Sequence, residues 1–154
     1  MNNNKVNPLE WDETMKIGEY TLDNHTKEFL RISNTFIDAR NAGNAEDHID
    51  SILNQFTEYS HKHFPAQEDL MERISYPSLA EHRAEHKRFN IDCAKLLKKR
   101  LLLKRSDVPL DEYDERGAEG LIIDITDFLT DWYHRHLLDA DKRLSDYYNF
   151  EYNE

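Results

Sequence analysis

His63–His86 reads HFPAQEDLMERISYPSLAEHRAEH, and the way these residues can be wound decides the fold. His82 and His86 are four apart, so on a helix they project from one face, one turn apart. That spacing lets two imidazoles reach one metal ion. Tyr76-Pro77 marks a turn before them, and Ser78-Leu79-Ala80-Glu81 fits a capping box that opens their helix. His63 lies on the other side of that turn, one helical turn before Gln67. It cannot join His82 locally, so a shared site needs two helices face to face. Pro65 lacks the N–H that would bond the His61 carbonyl, and a kink or local loosening is expected there.

The pattern extends outward from this pair. The helix carrying His63 is expected to start near Asn44 to Asp47, with Ile49, Ile52, Phe56, Tyr59, His63, Gln67, Leu70 and Ile74 stepping by three and four along one face. An earlier helix, from about Leu22 to Arg40, carries Leu22, His25, Phe29, Ile32, Phe36 and Ile37 on its apolar face, and Gly43 is its natural stop. The helix of His82 and His86 continues with Phe89, Cys93, Leu96 and Leu97 to about Lys104. Ser106 to Gly120 holds Pro109, Gly117, Gly120 and many acids, and reads as a long loop or an irregular helix start. A fourth helix follows from Leu121 or Ile122 through Ile125, Leu129, Trp132 and His136, then a short last helix over about Asp141 to Tyr148. Residues 1–20, broken by Pro8 and Gly18, form an arm lying across the domain with Trp11 packed onto it. The expectation is an all-α, up-down-up-down four-helix bundle in one domain over 1–154: arm 1–20, bundle 21–140, C-terminal segment 141–154.

Composition narrows the function. The formal net charge of −11 argues against a nucleic-acid or anionic-membrane partner, which needs a basic surface. No apolar run approaches the roughly 18 to 20 residues of a membrane span, and MNNNKVNPLEW has no apolar signal core. The single cysteine, Cys93, cannot form an internal disulfide, so a reducing compartment, the cytoplasm, is expected. A monomer is expected, with an oligomer left open.

The unusual item is histidine. His25, His63, His82, His86 and His136 come from four helices and point to one interior. One inward histidine is ordinarily a satisfied core residue. Five buried together bring unsatisfied nitrogens into a dry interior, and a metal relieves this by taking one nitrogen from each ring. Five imidazoles exceed the needs of one tetrahedral zinc and suit two ions of iron type, which accept imidazole and carboxylate together. Two ions need bridging anions, and Asp141, five residues after His136, could swing in where the fourth helix ends. His48 is expected to be solvated. His61 and His134 each sit two residues before a candidate ligand and point away from it.

His25, then His63-Phe64 with Glu68 and Met71, Tyr76-Pro77, His82-x-x-x-His86, and Trp132-x-x-x-His136 with Asp141 together resemble the hemerythrin family in its bacterial form, over about residues 9–145. The resemblance implies a four-helix bundle holding two non-haem irons, Fe2+ or Fe3+, joined by an oxo or hydroxo bridge and binding dioxygen reversibly. By it, His82, His86 and His136 hold one iron, His25 and His63 hold the other, where dioxygen binds, and Asp141 bridges them. One position departs from the family. A glutamate four residues after the histidine of the second helix serves there as the second bridge, and here that residue is Gln67. An amide offers one acceptor oxygen and no charge, so Gln67 is a weak ligand and a poor bridge. Glu68 points about 100° away on the same helix. Two irons are still expected, with altered redox behaviour or lower occupancy of the His25/His63 position. Asp23 also lies one place off the family's usual spacing to the first histidine.

Two functions follow from the resemblance: dioxygen carriage, storage or sensing at a di-iron centre, or a di-iron redox enzyme or iron-, nitric-oxide- or peroxide-handling protein on the same scaffold. The histidine-rich set favours binding over catalysis, because oxygen-activating bundles use carboxylate-rich pairs of Glu-x-x-His.

Overall fold

In the computed structural model, which describes residues 5–105 and 116–152, four helical rods form the expected bundle, with no strand among the described residues. α1 (Tyr20–Asn41) packs on α2 (Ile49–Arg73), α2 on α3 (Leu79–Leu103), and α3 on α4 (Gly117–Asp131), which also touches α1. Each helix buries the stripe that the spacing marks out: Leu22, Phe29, Ile32, Phe36 and Ile37 on α1, and Ile49, Ile52, Phe56, Tyr59, His63, Gln67 and Leu70 on α2. Gly43 ends α1 with φ +85, a left-handed backbone that favours glycine. No described helix is long and apolar enough to cross a membrane.

Four local expectations are revised. α2 begins at Ile49, after a 3-10 turn over Ala45–His48. It runs unbroken through Pro65; both Pro65 and His61 are exposed, so water can meet the carbonyl that proline leaves unbonded. Ser78 precedes α3, but its side chain makes no cap. Its ψ of 27 departs from the extended backbone an N-cap adopts. The segment expected as a long loop or an irregular helix start over 106–120 falls mainly on residues 106–115, outside the described residues, while Gly117 to Gly120 already belong to α4, which starts before the expected Leu121 or Ile122.

The last rod departs most. α4 passes without a break into a π-helical segment (Trp132–Ala140), then α5 (Asp141–Asp146), then a second π-wound stretch (Tyr147–Tyr152). The short last helix is thus a continuation of the fourth.

Residues 5–19 lie across the bundle. Asn34 and Asn41 of α1 act as clasps: Asn34 exchanges two hydrogen bonds with the Leu9 backbone (2.7 and 2.8 Å), and Asn41 does the same with Val6 (2.9 Å each). Trp11 packs on the core, and Met15 and Ile17 are buried.

Two apolar clusters flank a polar layer. The larger holds Phe29, Phe36, Phe56, Phe89 and Ile125. The smaller holds Ile17, Leu22, Leu70, Met71, Ile74, Tyr76 and Leu144. Between them lie buried His63, Gln67, His82, His86, His136 and Asp141.

Candidate metal centre

Helical spacing places most of this layer. His63 and Gln67 are one turn apart on α2 and both 0% exposed, while His82 and His86 are one turn apart on α3, at 3% and 2%. His136 and Asp141 need a different geometry. Residues five apart on an α-helix point about 140° away from each other. Here the Asp141 N–H donates to the His136 carbonyl, the i→i+5 bond of a π turn. That winding sets the two side chains one turn apart on the same face. Asp141 therefore reaches the interior by a change of helical pitch, and not by swinging in at a helix end.

The polar atoms meet closely. The Nε2 atoms of His82 and His136 lie 3.2 and 3.1 Å from Asp141 Oδ1. Gln67 Oε1 lies 2.8 Å from His82 Nε2 and 2.9 Å from His86 Nε2, and the Gln67 amide N–H donates to Asp141 Oδ1 at 3.1 Å. His82, His86 and His136 each offer a ligand atom within 4.8 Å of the others.

Two acids hold the outer nitrogens. His86 Nδ1 donates to Glu68 Oε2 (2.8 Å), and Arg83 fixes that carboxylate from outside (2.8 Å). His136 Nδ1 donates to Glu85 Oε1 (3.1 Å). Such partners set the tautomer and leave the Nε2 lone pair facing inward. Aromatic rings cover the same imidazoles. Phe64 stacks flat on His86 (4.0 Å, 2°) and Trp132 on His136 (3.8 Å, 8°). Tyr59 stacks on His63 and accepts a 3.4 Å hydrogen bond from Trp132 Nε1.

Burial dominates the electrostatics. It pushes His63 down to about 3 and His86 well below the ordinary imidazole range. Burial also opposes charge on His136, but Asp141 and Glu85 outweigh it and raise that ring to about 8. For Asp141, burial likewise opposes charge, and His136 and His82 overcome it, holding the carboxyl well below its usual value.

This arrangement is short of positive charge. With Nδ1 of His86 committed to Glu68, its neutral ring aims the Nε2 lone pair at Gln67 Oε1, acceptor against acceptor. His63 Nε2, His136 Nε2 and Asp141 Oδ2 are buried without a hydrogen-bond partner. A shared cation resolves both, and imidazole nitrogen with carboxylate and amide oxygen suits a first-row metal such as iron. The residues fit such an ion.

The structure brings His82, His86, His136, Asp141 and Gln67 together. His63 is buried beside them, but its Nδ1 faces His25 Nδ1 at 3.2 Å. His25 is only half-buried, because it lies in the second turn of α1 at the edge of the bundle. Glu68, one residue past the bridge position, meets the outer nitrogen of His86 and not the interior. Asp23 accepts hydrogen bonds from the Ile17 and Gly18 N–H groups, 2.9 and 3.0 Å, and so ties the arm to α1. His61 and His134 are exposed as expected, His48 is half-buried, and Cys93 fills core space. Glu85 and Tyr59 had no assigned part. The available signal for Glu85 was its place three residues after His82, next to the ligand face.

The chain matches the family model of the hemerythrin HHE cation binding domain over residues 18–148. A bacteriohemerythrin of Clostridium acetobutylicum is 26% identical over 139 residues, which cover 88% of this chain and 98% of that protein. No solved structure matches the chain.

Proposed function

The chain belongs to the hemerythrin HHE family, and on that premise we propose that it is a cytoplasmic non-haem di-iron protein that binds dioxygen for carriage, storage or sensing. His82, His86 and His136 would hold one iron and His25 and His63 the other, with Asp141 between them and Gln67 beside the first. The whole chain acts as one such domain. The observation that carries the reading is the buried meeting of the His86 Nε2 lone pair with Gln67 Oε1, beside His63 Nε2 and Asp141 Oδ2 that lack a hydrogen-bond partner, a set that a cation satisfies.

Ferrous iron, when bound there, supplies electrons that dioxygen can accept and return. The chain's own residues restrict what else can happen. Phe64 and Trp132 lie flat on two ligand rings and exclude water. Glu68 and Glu85 hold the Nδ1 protons of His86 and His136, which keeps those rings oriented and their inner nitrogens free.

The test is iron content and a visible spectrum. Purified protein should carry iron, and the reduced protein should gain an absorption in air that fades under vacuum. Absence of iron in folded protein would defeat the proposal. A second reading, redox handling of peroxide or nitric oxide, draws support from a groove of about 810 Å³ between α3 and the last rod, whose lining includes Trp132 and His136. Irreversible passage to the ferric state in air would favour it.

A further inference from the structure

Gln67 divides its two ends between different tasks. Its oxygen faces the Nε2 atoms of His82 and His86, and its N–H2 donates to Asp141 Oδ1. The opposite orientation would set the amide oxygen against the Asp141 carboxylate, acceptor on acceptor, so Asp141 dictates which end points where. A carboxylate at this position has an oxygen for each of two cations. The amide has one, already committed to the His82/His86 side, and an N–H2 has no lone pair to give a metal.

The rest of the layer is uneven in the same direction. The His82/His86/His136 side has three buried imidazoles within 4.8 Å, two of them fixed by Glu68 and Glu85, together with Asp141 Oδ1 and the Gln67 oxygen. The other side has two neutral imidazoles, His25 and His63, turned toward each other at Nδ1, and the remaining Asp141 oxygen, Oδ2. His25 is half-buried, so water competes for any ion there. Neither ring has an acid on its outer nitrogen among the described hydrogen bonds.

We propose that Gln67 makes this a stepwise, exchangeable centre: one divalent first-row cation is held firmly by His82, His86, His136 and Asp141, and a second, at His25 and His63, is held loosely and exchanges. The inference rests on the ligand reading above and adds an order of filling to it. Loss of outer hydrogen-bond partners alone weakens metal sites 10- to 100-fold, so loss of an inner charged oxygen separates the two affinities by on the order of a hundredfold.

Cobalt(II) tests this, since it accepts the same nitrogen and oxygen donors and reports its surroundings in visible absorption. The full chain, stripped by a chelator and checked for helicity by circular dichroism, is titrated with Co2+ by calorimetry and absorption. The expected result is one tight equivalent and a second about a hundredfold weaker. His25→Ala, at a half-buried position, should abolish only the weak step. Gln67→Glu should bring the steps to within about tenfold of each other. Two equivalents of equal affinity in the unaltered chain, or loss of the tight step in His25→Ala, would overturn the proposal while leaving the ligand reading intact. A folded chain that takes up no Co2+ would overturn both.

Discussion

The larger apolar cluster and the polar layer beside it are built from the same four rods, yet they follow opposite rules. In the cluster, Phe29, Phe56 and Phe89 pack ring on ring, with Phe29 to Phe56 centroids at 5.4 Å and Phe56 to Phe89 at 6.2 Å. Nothing there needs a partner beyond contact. One to three turns along α2 and α3, the buried side chains are imidazole and amide, joined by the Asp141 carboxylate from the last rod, and several polar atoms there have no protein partner. The contrast teaches a division of labour: the cluster supplies the stability that lets the layer keep an unsatisfied, metal-seeking arrangement.

The division can be broken most severely at Phe56, which is fully buried. Phe56→Ala should cost about 3–5 kcal/mol, measured by urea denaturation, while the folded fraction still takes up metal. Parallel loss of metal affinity per folded chain would show that the two regions are not separable. A middling effect is expected on the polar side. Glu85→Gln removes the charge that fixes the outer nitrogen of His136 and should weaken metal affinity about 10- to 100-fold, with a melting temperature of the stripped protein that changes little. The check is chelator competition beside a thermal melt.

The smallest effect lies at the far, apolar end. Hydrogen bonds from Arg100 and Lys104 hold Asp50 at about 2, below its ordinary 3.8. A depressed folded value means stabilisation present above pH 3.8 and lost as pH falls toward 2. The carboxylate is half exposed, so solvent screens the interaction, and Asp50→Asn should lower stability at pH 7 by about 0.5 kcal/mol. That difference should vanish near pH 2 in acid-denaturation curves, with metal binding at pH 7 unchanged.

Much of the cluster was legible because helical burial leaves a period in the sequence. Ile49, Ile52, Phe56 and Tyr59 on α2 declare their face by spacing alone, and Gly43 declares its stop. The histidines were legible for the same reason. Local marks that act through the backbone were less reliable. Pro65 signals a break, but its exposed place on α2 lets water meet the freed carbonyl. Ser78 has the sequence of a cap without the backbone of one. Glu85 was hidden because an acid among Arg83, Glu81 and Lys87 looks like any solvated charge until α3 and the last rod come together. His25 has the right period but lies too near the edge to be enclosed. The π winding carries no proline, glycine or charge signature, so Asp141's route to the interior was invisible.

That winding has a consequence for how this chain can vary. Between His136 and Asp141 the constrained quantity is the count of residues, not their kind. Adding one residue there would set the two six apart, more than the π turn takes up, and everything after it would rotate by about 100°. Leu144 and Ser145, which anchor that tail to the smaller cluster and to the Lys16 carbonyl, would rotate with it. Insertions in this short interval are therefore far less tolerable than substitutions at Leu138 or Asp139, whereas loss of one residue would leave an ordinary helical turn with histidine and carboxylate still on one face.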